Sequence, residues 1–190
     1  MGLFKYPALL VFGLVLFFQS GLEGASGDYT VSFLTKTGRL GTDAATLAMT
    51  WFTIGMLAGR LILGKMMSAL KDLGTFYLYL GIALVGVAFL AFSNGAAGTY
   101  LAMALLGFGV GATFPVVLGH VGGIFRKQSG TAISIAVFIA LLGQFTLKRV
   151  TGAAFDAGSF ITLPIVLAAA IAAMMCIIPF AISLGNKTKL

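Results

Sequence analysis

"FFQSGLEGASGDYTVSFL", residues 17–34, is the stretch on which the reading of this chain turns. An apolar run from Tyr6 to Phe18 leads into it. Gln19, Glu23 and Asp28 then arrive with Gly21, Gly24 and Gly27 between them, and from Tyr29 the sequence turns apolar again. Carboxylates inside a hydrophobic stretch are expensive in a bilayer and mark a functional site by default. The question is whether a bilayer is the right solvent.

Composition answers it. The 190 residues are 59% hydrophobic and 9% charged, whereas a soluble domain carries about 25% charged residues. Mean hydropathy is +1.07. So few charges do not cover a water-facing surface, and the chain reads as an integral membrane protein. A net charge of +7 would suggest nucleic acid in a soluble protein. Here the basic residues sit between hydrophobic runs, so they report topology and no nucleic-acid partner is expected. One cysteine, Cys176, and one histidine leave no internal disulfide and no metal cluster to expect, and no cofactor is implied.

A spanning helix needs about 20 apolar residues. Six segments meet or approach that length: residues 6–34, 44–64, 74–92, 99–125, 130–150 and 160–184. The loops between them are short, so residues 1–190 read as a single all-α bundle of six transmembrane helices. Lys5, Lys65, Lys71, Arg126, Lys127, Lys187 and Lys189 collect at one face, with Arg60 just inside it. At the other, Lys36 and Arg39 are offset by Asp43, and Asp156 lies near Lys148 and Arg149. The positive-inside rule makes the first face cytoplasmic, with both termini there, in a multi-pass protein of the cell (inner) membrane. A signal peptide ending near "EGASG" is the competing reading of the start. Glu23 in the cleavage site and the return of hydrophobicity at Tyr29 favour one long interrupted helix. Gly55–Gly59, Gly107–Gly111 and Gly119–Gly123 have the spacing that lets membrane helices approach closely, and Pro115 predicts a kink.

Four stretches in this order resemble the C-terminal six-helix half of a major facilitator superfamily transporter. The nearest likeness is to the fucose–proton symporter and glucose/galactose transporter branch. They are "FFQSGLEGASGDYTVSFL", "WFTIGMLAGRLILGKMM" at 51–67, "GFGVGATFPVVLGHVGGIF" at 107–125 and "GQFTLKRVTGAAFDAG" at 143–158. The second resembles a glycine–arginine motif with Gly55, Gly59, Arg60, Gly64 and Lys65 in place, although Ala58 and Gly59 stand where an acidic residue is usual. The third carries the aromatic–proline pair Phe114–Pro115. In the fourth, Gln144 and Phe145 replace glycines, and Arg149 stands where a proline is frequent.

The resemblance implies proton-coupled uptake of a hexose or deoxyhexose by alternating access, with no covalent chemistry and hence no enzyme activity. It also implies a second six-helix bundle as partner, a second copy or a separate N-terminal half. Gly55, Gly59, Arg60, Gly64 and Lys65 would form the conformational-switch loop.

The residues themselves point the same way. Gln19, Glu23, Ser26 and Thr30 recur at helical spacing on one face, and the intervening glycines allow local unwinding. A sugar requires several directional hydrogen bonds, which amides and carboxylates supply. Gln19, Glu23, Phe114, Gln144 and Lys148 are the candidate substrate-binding residues, Phe114 by stacking on a sugar ring. Glu23 and Asp28 are the candidate proton-coupling carboxylates. Glu23 pairing with Lys148 or Arg149 is the structural alternative. Those two cations could also snorkel to the headgroups, or face the cavity and select an anionic substrate. Two other functional classes stay open. One is a membrane subunit that only binds a partner. The other is a rhomboid-like serine protease, for which "GASG" at 24–27 and "GHVGG" at 119–123 would supply a Ser26–His120 dyad.

Overall fold

The computed structural model describes residues 6–188, the Lys71 side chain excepted. Lys5, Lys189 and the side chain of Lys71, used in the topology argument, lie outside what is described. The described chain is all helical. In order come α1 (Pro7–Lys36), α2 (Thr42–Phe92), α3 (Ala96–Gly111), α4 (Thr113–Ile124), a single 3-10 turn (Arg126–Gln128), α5 (Ser129–Asp156) and α6 (Thr162–Lys187). Six segments are long and apolar enough to cross a membrane: Pro7–Lys36, Thr42–Leu70, Asp72–Phe92, Ala96–Ile124, Arg126–Asp156 and Thr162–Lys187. They match the six expected segments one for one and extend several of them into what read as loop.

The second and third spans lie on one uninterrupted run of helix, α2, 51 residues long. A straight helix of that length would measure about 77 Å, and this one does not run straight. The Tyr79 hydroxyl donates to the Gly59 carbonyl at 2.7 Å, and Thr75 Oγ1 donates to the Met66 carbonyl at 3.2 Å. Twenty residues of straight helix would hold the first pair roughly 30 Å apart. The helix therefore doubles back on itself between these residues. "KMMSALKD", expected as a loop, is a helical bend.

The two ends of α2 come together at the opposite end of the hairpin. Arg39, just ahead of α2, donates to the carbonyls of Leu90 at 2.6 Å, Ala91 at 2.8 Å and Ser93 at 3.4 Å. A guanidinium placed there satisfies carbonyls that a helix C-terminus leaves open.

α3 lies between the two arms. A Cβ on Gly55 would strike the Ala104 carbonyl and one on Gly59 the Phe108 carbonyl. Added to Gly107 it would meet Phe52, and to Gly111, Met56 at 2.6 Å. The paired numbers rise together, so the first arm and α3 run parallel. The second arm runs antiparallel to α3, since Gly109 lies on Tyr79 and Ala83 while Gly86 lies on Ala102 and Leu106. Two of the three expected glycine pairs therefore bring backbones into contact. The third does not: a Cβ on Gly119 or Gly123 would meet nothing within 4 Å. α4 faces open space on that side.

α1 needs the largest correction. It runs unbroken from Pro7 to Lys36, so its glycines do not unwind it. They admit α5 instead. Gly13 sits against Ile139, Gly21 against Leu147 and the Gly143 carbonyl, Gly24 against Gln144 and Lys148, and Gly143 against the Phe17 carbonyl. The constant offset sets α1 and α5 parallel, in register over most of their length.

The kink expected at Pro115 is present, with the helix breaking at Ala112 between α3 and α4. Pro115 has no N–H, so the Gly111 carbonyl one turn earlier loses its helical donor.

Candidate functional site

Ser20 and Glu23 from α1, Arg60 from the first arm of α2, Phe114 from α4, and Leu141 and Gln144 from α5 line one cavity of about 250 Å³. Measured at 1.5 Å per residue from the middle of their spans, Glu23, Arg60, Phe114 and Gln144 all lie within about 6 Å of mid-depth. Glu23, Phe114 and Gln144 are only partly buried in this bundle, and Arg60 is exposed. The cavity is open to one side. Leu57, Leu61, Phe138, Leu141 and Phe145, all strongly exposed, flank the polar residues on α2 and α5.

Glu23 and Arg60 face the same space without forming an ion pair within 4 Å, and Glu23 makes no side-chain hydrogen bond among the described residues. Arg60 Nε donates to the Gly111 carbonyl at 3.2 Å. That is the oxygen left open by Pro115. Next to it, Gln19 Nε2 donates to the Val110 carbonyl at 2.9 Å from a fully buried side chain. Two side chains from two other helices thus satisfy consecutive carbonyls at the break. Gln19 Oε1 and Thr113 Oγ1, also buried at the break, have no hydrogen-bond partner among the described residues.

The expected substrate set divides. Glu23, Phe114 and Gln144 meet in the cavity. Gln19 lies behind it, tied to the bend. The face expected to hold Gln19, Glu23, Ser26 and Thr30 splits for the same reason. Glu23 is rotated about 40° from Gln19 on the helix, enough to reach the cavity while Gln19, Ser26 and Thr30 stay fully buried. Lys148 lies outside the lining and pairs with Asp28 at 2.7 Å. The Asp28 side chain is 53% exposed, so this pair sits at the protein surface, and Glu23 is not the partner of Lys148. Gly55 and Gly59 belong to the α2–α3 contact. A Cβ added to Gly64 would meet nothing within 4 Å, and Lys65 is exposed near the helical bend.

A second cavity, about 470 Å³, lies near the far end of α4. His120 is central to it. Its ring stacks on Phe12 (centroids 5.6 Å apart, 12° between planes) and faces Phe76 at 6.4 Å, with Nε2 3.4 Å from Asp72 Oδ2. Gly119, Gly123 and Arg126 also line this space. Ser26 is 14 residues, roughly 21 Å of helix, from Phe12. A Ser26–His120 dyad is therefore not formed.

Ser20, Leu141 and the cavity position of Arg60 were not evident from sequence. Ser20 precedes Glu23 by three residues and shares its side of the helix. That spacing was a usable signal.

The fold defines the class as a multi-pass helical bundle whose six spans suit a lipid bilayer. No family model matches the chain, and no curated protein or solved structure matches it.

Proposed function

We propose that the chain is one half of a membrane transporter that binds a small polar solute at mid-depth. The observation that carries this reading is a guanidinium, exposed on the lone bundle within about 6 Å of the centre of its span, facing a cavity it shares with a carboxylate, an amide, a hydroxyl and an aromatic ring. A charge at that depth is not left in hydrocarbon. The face carrying Arg60 is therefore covered by another polypeptide, by an aqueous passage, or by both. Transporters place their sites at mid-depth between two bundles that rock against each other. The lining suits a neutral hexose or deoxyhexose: Glu23, Gln144, Ser20 and Arg60 bond its hydroxyls, and Phe114 packs on its ring face. Glu23 is the coupling carboxylate. Lys148 and Asp28 hold each other at the rim. The major facilitator superfamily likeness, the inner-membrane location and cytoplasmic termini belong to the same proposal.

The test is equilibrium binding of a panel of tritiated hexoses and deoxyhexoses to the full chain in nanodiscs, with and without its co-purifying partner. Saturable binding lost in Gln144→Ala supports the reading. A panel that fails to bind in both preparations overturns the sugar assignment.

A further inference from the structure

We propose that Arg60 couples the charge of the mid-depth cavity to the bend between α3 and α4. This rests on the transporter reading of the cavity, and it gives Arg60 a task inside the membrane rather than in a loop.

Three observations support it. First, the Gly111 carbonyl is open because Pro115 lacks an N–H, and Arg60 Nε supplies the bond at 3.2 Å. That distance is at the long end of the range for N–H···O bonds. Second, the same guanidinium faces Glu23 across the cavity, more than 4 Å away. For Arg60 to pair with an ionised Glu23 the guanidinium must travel toward α1, which lengthens or breaks the bond to Gly111. Third, the two sides of the bend are held unequally. α2 and α3 touch backbone to backbone at Gly55, Gly59, Gly107 and Gly111. Beyond the bend, α4 has open space at Gly119 and Gly123, which line the larger cavity. Releasing the Gly111 carbonyl lets α4, whose Val116, Val117, Val121 and Ile124 stay buried on its other side, tilt at Ala112 toward that open space. Thr113 Oγ1 and Gln19 Oε1, buried and unpartnered at the bend, provide polar atoms that a rearranged bend can use.

The sign follows. An ionised Glu23 draws Arg60 off the bend and loosens α4. A protonated Glu23, or a solute that bonds Glu23 in its place, lets Arg60 return and stiffens it. The charge state of the cavity is thereby converted into the angle of one helix.

Hydrogen exchange of residues 110–118, followed by mass spectrometry on the full chain in nanodiscs, tests this without solute or partner. Glu23→Gln slows exchange in that segment, and Arg60→Gln speeds it by about tenfold, the loss of one charge-assisted hydrogen bond. In the Arg60→Gln background, Glu23→Gln has no further effect. That non-additivity separates coupling from two independent packing defects. Exchange in α6 stays at the wild-type rate and reports that the bundle remains folded. Arg60→Lys, which keeps the charge but not the forked donor geometry, falls between wild type and Arg60→Gln. Unchanged or faster exchange in Glu23→Gln, or a Glu23→Gln effect of equal size with and without Arg60, overturns the proposal. If the cycle holds and no sugar binds, the coupling stands and the choice of substrate falls.

Discussion

Single glycines carry different weights here, and the packing around each one says which. Gly143 lies directly on the Phe17 carbonyl, whereas Gly119 has nothing within 4 Å of a new Cβ. Gly143→Ala forces α1 and α5 apart and is expected to cost about 1–3 kcal/mol, the usual penalty for overpacking. Gly119→Ala removes backbone freedom at no steric cost and is expected to stabilise by about 0.5–1 kcal/mol. Unfolding of both variants in mixed detergent micelles, titrated with sodium dodecyl sulfate, checks the opposite signs. Equal shifts would mean that the α1–α5 contact is not as close as described. Glu23→Gln is the functional counterpart. It keeps the side-chain shape and removes the charge change, so on the proposed transporter reading uptake should continue down a sugar gradient and lose its response to a proton gradient.

Helical elements show where sequence reading succeeded and where it failed. Apolar runs of about 20 residues identified all six spans, because the bilayer imposes that length on any crossing helix. The bend within α2 was read as a loop because "KMMSALKD" carries two lysines and an aspartate between oily runs. Helical hydrogen bonding nevertheless continues through it. The three glycines of residues 21–27 were read as a place to unwind. Periodicity along one helix cannot reveal that α5 lies against two of them. Glu23 and Gln144, picked out as polar groups in oily segments, and Phe114, picked out beside Pro115, line one cavity. Arg60 was assigned to a loop because its contact with Gly111 comes from 51 residues away.

The α2 hairpin makes its own prediction. Spin labels at exposed Thr46 and Phe92 should lie within about 25 Å of each other, since Arg39 reaches Leu90 and Ala91. A straight helix would hold them roughly 69 Å apart. Double electron–electron resonance distinguishes the two, and a long distance would remove the third span from the bundle.

At the scale of the whole molecule, the distribution of charge and the open cavity lead to one expectation. The bundle has packed interfaces within itself, yet leaves Arg60 exposed near mid-depth and rings it with Leu57, Leu61, Phe138 and Phe145. An apolar rim around a polar floor is suited to a second bundle, which would bury the rim and close the cavity. A single copy in lipid would place the guanidinium against acyl chains, at a cost of at least about 2.5–3.5 kcal/mol. Native mass spectrometry of the complex, extracted gently from its host, should therefore record more than the 19.7 kDa of one chain. A second copy would double that value, and a separate six-helix chain would add a mass of similar size. In either assembly, Arg60→Leu removes the charge that needs covering and leaves the apolar rim. It relieves the lone bundle of that penalty and should therefore weaken association by a comparable amount, while Leu57→Lys or Phe145→Lys, which put a new charge on the rim, should return the complex to a single chain. A wild-type protein that runs as one chain at every detergent concentration would mean that Arg60 faces water rather than a partner, and the half-transporter reading would fail with it.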